Sequence, residues 1–211
     1  MDTTIKTDRH VDLKDLSGSM TYENYIKLVT DLLAENMVTG PVQSEALTGY
    51  SKLNLHRMQR ILKTIDILPE VKSVVEQIRN PQTWLVITEG WCVDSSHILP
   101  VLNALSSLNT KIDLRILLRD ENLSLMDQYL TNGARSIPKL IVFDTASGEE
   151  IFNWGPRPTE FQHKFYQMKN EGIALKIIKE DLQRWYAQDK TYSTQKDLAL
   201  LLSTAAERKT A

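Results

Sequence analysis

The stretch from Thr83 to Pro100, TWLVITEGWCVDSSHILP, constrains this chain more than any other. Its first part, Trp84-Leu85-Val86-Ile87-Thr88, is short, apolar and rich in β-branched residues, the pattern of a buried parallel strand. Beyond it, Ile98, Val101, Leu102, Leu105 and Leu108 recur at helical spacing and mark one apolar face. The only cysteine, Cys92, with Trp91 before it, falls where the strand turns into the helix. Free backbone N–H groups and the helix dipole favour an anion at such a point, and a thiolate is an anion. Taken without that context, a lone cysteine is more often a small buried hydrophobe.

Composition narrows the remaining classes. One cysteine in 211 residues excludes an intrachain disulfide and fits a reducing compartment, so the expected location is cytoplasmic. A net charge of −2 carries no basic excess, and no nucleic-acid partner is expected. The segment Met1 to Ser17 is polar and mixed in charge, without the apolar core of a signal peptide. No stretch approaches a transmembrane span, so no membrane partner is expected either. His10, His56 and His163 are scattered, and no His/Cys/Asp spacing suggests a metal; neither metal nor cofactor is expected.

In chain order, residues 1–17 read as a mobile tail. Helices are expected over Thr21–Met37, stopped by Gly40-Pro41, over Ser51–Asp66, and from Pro69 onward. After the cysteine helix come a second parallel strand, Ile112–Leu118, and a helix over Leu123–Thr131 closed by Asn132-Gly133. Strand Leu140–Phe143 then forms a hairpin with Glu150–Trp154 across Ala146-Ser147-Gly148. Helices over Thr159–Lys169, Ile173–Gln188 and Thr194–Ala206 complete the chain. The order describes an α/β sandwich with extra helices at both ends. It divides into a tail and helical extension at 1–68, a core at 69–170 and a C-terminal helical extension at 171–211.

A Trp-Cys-x-x-Cys turn opening a helix, with a proline eight residues after the first cysteine, is the active-site pattern of the thioredoxin superfamily. Trp91-Cys92-Val93-Asp94-Ser95 with Pro100 resembles it, Ser95 standing in the place of the second cysteine. Ser136-Ile137-Pro138-Lys139, ahead of the strand Leu140–Phe143, resembles the cis-proline loop that faces that turn. The runs Leu117–Asn122, Tyr129–Gly133 and Trp154–Pro158 are similar to a bacterial thioredoxin-like subgroup. The resemblance spans roughly Pro69 to Phe165 and implies a thioredoxin-like mixed sheet, with a cis Ile137–Pro138 bond facing Cys92.

It also implies a redox site of reduced capacity. Ser95 can donate its hydroxyl to a thiolate but cannot attack a mixed disulfide, so an outside thiol has to resolve one formed at Cys92. Two-cysteine members usually carry a buried aspartate six residues before the first cysteine; Val86 occupies that position here. The resemblance therefore implies monothiol (CxxS) oxidoreductase chemistry with Cys92 and Ser95 as catalytic residues. Its partner would be a disulfide-containing protein or a low-molecular-weight thiol. Substrate contacts are expected from Trp91, Asp94, Ile137, Pro138, Arg119 and Arg135. Asp94 opposes a thiolate two residues away, yet is also an ordinary charge for a first helical turn. Arg119 and Arg135 are equally read as surface ion-pair partners, His97 as a partly exposed helix residue, and Trp154–Pro158 as a packed turn. The alternative function is a non-catalytic interaction module that keeps the fold and the aromatic surface.

Overall fold

The computed structural model describes residues 16–210. The tail expected over residues 1–17 lies outside that range up to residue 15. Among the described residues four strands, β1 (Gln82–Thr88), β2 (Ile112–Leu118), β3 (Lys139–Asp144) and β4 (Glu150–Trp154), form one mixed sheet in the order β2-β1-β3-β4. β1 runs parallel to β2 and antiparallel to β3, and β3 and β4 make the expected hairpin. Trp84, Leu85, Val86 and Ile87 are fully buried. Alternation along the strand sends Trp84 and Val86 into one core and Leu85 and Ile87 into the other. Each such side chain stabilises the fold by about 1.5–3 kcal/mol. Val86 thus lies in a closed apolar layer.

Among the described residues eight α-helices flank the sheet: α1 (Tyr22–Ala34), α2 (Glu45–Thr64), α3 (Pro69–Glu76), α4 (Val93–Ser106), α5 (Leu123–Met126), α6 (Thr159–Asn170), α7 (Leu175–Asp189) and α8 (Tyr192–Thr210). α2 packs along α4, and α8 packs against α3. Capping sets the starts of the first two. Thr21 Oγ1 accepts the Asn24 N–H, and Ser44 Oγ accepts the Leu47 N–H. α2 consequently begins six residues before the expected Ser51, ahead of its apolar stripe and through Gly49. α1 ends short of Met37 because Asn36 turns left-handed at φ 56°. The helix expected over Leu123–Thr131 tightens into a 3-10 turn at Asp127–Tyr129 and ends there. Tyr129 is buried and its hydroxyl donates to Glu150 Oε2 at 2.9 Å, so tertiary contact overrides helical propensity.

The loop after β4 locks onto the loop before β3. Ile137–Pro138 is cis, as expected, and Gly155–Pro156 is cis as well. Gly155 has φ +115°, and a Cβ there would lie 2.3 Å from the Pro138 carbonyl oxygen. Trp154 Nε1 donates to Asp197 Oδ2 on α8, and the same carboxylate oxygen accepts from the Thr159 N–H at the start of α6. Only glycine fits at position 155, both for its φ and for the contact. Gly155→Ala is expected to lower unfolding free energy by at least about 2 kcal/mol in a denaturant titration.

Candidate functional site

Cys92 is the N-cap residue of α4; its backbone is extended (φ −75°, ψ 118°) and its side chain makes no capping bond. The sulfur instead donates to the Ile137 carbonyl at 3.3 Å, and the residue is only 8% exposed. Beneath it, Thr88 Oγ1 at the end of β1 donates to Ser95 Oγ at 2.6 Å. The Ser95 hydroxyl and backbone N–H both hydrogen-bond toward the sulfur and favour its ionised form. They do not prevail. Burial, reinforced by the Asp94 charge, pushes the thiol up to about 11 despite Ser95 and Arg157. Of the two opposed influences expected on the thiol, a helix start that favours a thiolate and an Asp94 that opposes it, Asp94 together with burial prevails and the sulfur is held protonated.

Asp94 is itself buried. Its Oδ2 meets the Arg157 guanidinium at 2.9 Å, and its Oδ1 accepts from the Tyr186 hydroxyl at 2.9 Å. Burial raises its carboxyl above the usual range, while Arg157 and Tyr186 pull it back. Arg157 in turn stacks its guanidinium 4.3 Å from the Phe165 ring centroid. Both oxygens of Asp94 thus face the interior. His97, expected as partly exposed, is also buried, its ring stacked on Tyr186 at 4.0 Å between centroids. Burial and the nearby Arg57 charge push its imidazole down to about 3. The correction has one cause: α7 covers the face of α4 that carries Asp94 and His97, through Tyr186.

The N-terminal helices hold the other side of the turn. Thr39 Oγ1 accepts the Gly90 N–H at 2.9 Å, and the Thr39 carbonyl accepts from Trp91 Nε1 at 3.1 Å. Asn54 on α2 donates to the Gly90 carbonyl at 3.0 Å. Arg57, one turn on, bonds Asn54, Ser96 and Gln183, joining α2, α4 and α7. Glu89, fully buried three residues before Cys92, accepts the Asp120 N–H through Oε1. Its carboxyl is raised chiefly by burial.

Of the residues picked from sequence, Cys92, Ser95 and Ile137 come together around the sulfur, with Pro138 next in chain. Trp91 is half-buried, with the Arg119 guanidinium 4.9 Å from its ring centroid and Asp120 paired to that arginine at 2.8 Å. Arg135 lies outside this group, bound to Asp127 through two hydrogen bonds of 2.6 and 2.8 Å. Sequence reading missed Glu89, Thr39, Asn54, Arg157 and Tyr186 as parts of the site. Glu89 alone carried a local signal, a carboxylate closing an apolar strand directly before the turn. Among the described residues no His, Cys, Asp and Glu group is arranged to hold a metal ion, and no helix is long and apolar enough to cross a membrane.

Residues 40–171 match the family described as Thioredoxin. The chain belongs to the thioredoxin family. The match begins one residue after Thr39 and takes in α2, so it includes the later part of the N-terminal extension but not α1. No curated protein matches the chain. Among solved structures it is similar to a protein of unknown function from Pseudomonas aeruginosa, with TM-score 0.62 and 15% identity over 92% of this chain and 99% of that one. It is similar also to an HIV epitope scaffold, with TM-score 0.55 and 14% identity over 88% of this chain and 99% of that one. At such identities the likeness is one of fold.

The cysteine's environment predicts its titration. Iodoacetamide alkylation of the native protein should be slow at neutral pH and rise toward about 11, followed by mass spectrometry. Asp94→Asn removes a charge that holds the proton on sulfur and leaves Arg157 facing it, so the midpoint should fall. Each unit of fall should speed alkylation at neutral pH by up to about tenfold. An unchanged midpoint in a folded Asp94→Asn protein would contradict the electrostatic account.

Proposed function

We propose that this thioredoxin-family protein is a monothiol thiol–disulfide exchange protein acting through Cys92. The observation that carries this reading is the sulfur's position: at the N-cap of α4, 3.3 Å from the backbone carbonyl of the apposed Ile137–Pro138 loop. A substrate disulfide entering between turn and loop meets the sulfur with backbone hydrogen-bonding groups beside it. Ionised Cys92 attacks one sulfur of the disulfide, forming a mixed disulfide and releasing the other sulfur as a thiolate. The Cys92 proton leaves to solvent. A second, external thiolate then attacks the mixed disulfide and releases Cys92, because Ser95 has no sulfur with which to do so.

The small thiolate fraction makes this exchange slow at neutral pH. A high-pKa thiolate is intrinsically the better nucleophile, which offsets part of that deficit but not all. Trp91, with the Asp120-paired Arg119 packed over its ring, supplies an aromatic edge suited to a peptide. The single cysteine also suits a reducing compartment, and we place the protein in the cytoplasm on that ground.

One observation favours a second reading, a non-catalytic interaction module: the thiol is buried and held protonated. Incubation with oxidised glutathione or diamide, followed by intact mass, separates the two. Exchange predicts a single glutathione adduct or a Cys92–Cys92 dimer, reversed by added thiol and absent in Cys92→Ser. If neither species forms while the protein stays folded, the interaction-module reading stands and exchange fails.

A further inference from the structure

A cavity of about 350 Å³ opens between α2, α7 and the start of α8, and Cys92 does not line it. The stacked and buried pair His97 and Tyr186 line it, with Ile61 and Ile65 as an apolar wall. Arg60 and Lys190, both exposed, stand on its lining, and neither is in an ion pair with a carboxylate among the described residues. His97 is only 7% exposed; Gln183 of α7 stands within reach of its ring, yet its Nε2 makes no hydrogen bond of good geometry. An unmet buried imidazole nitrogen costs about 1–3 kcal/mol unless something bonds it.

The backbone beside the cavity is also unusual. Lys190 ends α7 in the left-handed region at φ 51°, an ordinary place for one such residue. Thr191 follows at φ 75°, where a β-branched residue is strained. The Asp189 carboxylate, receiving the Ser193 N–H and hydroxyl, holds this corner in place. The corner carries Lys190 and Thr191 onto the cavity wall, and strain of this kind concentrates at ligand-binding positions.

We propose that this cavity is a binding site for a small organic acid, its carboxylate held by Arg60 and Lys190 and its hydrocarbon body lying on Ile61 and Ile65 toward His97. A bare inorganic anion leaves the apolar wall empty, and a neutral hydrocarbon leaves the two cations unused. A ligand or a water drawn in with it can meet the His97 nitrogen. The proposal stands apart from the chemistry of Cys92. It nevertheless abuts the same Tyr186 whose hydroxyl bonds Asp94.

The test is titration of the 211-residue chain, carrying ¹⁵N-labelled histidine, with hexanoate, hexanol and inorganic phosphate. His97, one of four histidines, is assigned by comparison with a His97→Gln protein. The expected result is a saturable shift of the His97 ring nitrogens by hexanoate, with weaker binding of both hexanol and phosphate. Arg60→Gln combined with Lys190→Gln should weaken hexanoate binding about tenfold or more, the contribution of a charge-assisted hydrogen bond. Both positions are exposed, so this variant tests binding without emptying the core. No saturable shift with hexanoate overturns the proposal. So does hexanol or phosphate binding as tightly as hexanoate, or an affinity unchanged in the double variant.

Discussion

The site depends on one buried interaction, the pairing of Asp94 with Arg157 and the hydrogen bond that Tyr186 adds to it. A carboxylate on the first turn of α4 is ordinarily solvated; here α7 and the loop after β4 close over it. Desolvating both charges is expensive, and their attraction offsets that cost only because every oxygen of Asp94 has a partner. Once closed, the pair fixes three things together. It anchors the loop around Gly155 against the cysteine turn, it docks α7 on α4, and it leaves a negative charge close enough to hold the Cys92 proton.

The opposite side of the turn is held by weaker, uncharged bonds. Thr39, Trp91, Asn54 and Gly90 exchange backbone and side-chain hydrogen bonds, each contributing about 0.5–1.5 kcal/mol. Gly90 is constrained as well, since a Cβ there would approach Val29 to 3.1 Å. The terminal helices are therefore structural walls of the cysteine site. Of these walls the family match from residue 40 to 171 takes in α2 and leaves out α1 and α7. A sulfur enclosed from both sides is poorly ionised for the same reason it is well positioned, because the groups that place it also exclude water.

Much of this was legible in the sequence, and the failures share a cause. Strand β2 over Ile112–Leu118, the hairpin and the cis bond before β3 follow from local patterns: alternation, turn chemistry and a motif. The start of α2 was misplaced because the apolar stripe begins later than the cap at Ser44. The burial of His97 and the ionisation of Cys92 are not legible locally, for a longer-range reason. Whether a residue on α4 faces water depends on where α7 packs, and nothing within α4 encodes that. The periodicity of α7 reveals an amphipathic helix, while its partner is set by Tyr186 meeting Asp94 across 92 positions of chain. Arg157 was visible only as part of a rigid loop; its role as counter-charge appears when that loop folds against the turn.

The most direct measurement of this account is a double-mutant cycle between Asp94 and Arg157, read by denaturant unfolding of Asp94→Asn, Arg157→Met and the combined variant. A buried pair predicts that each single change costs about 3 kcal/mol or more, since it strands the other partner. The combined change should then cost less than the sum by more than about 1 kcal/mol. Effects that add to within about 0.5 kcal/mol would contradict it, because they would mean that the two residues do not depend on each other.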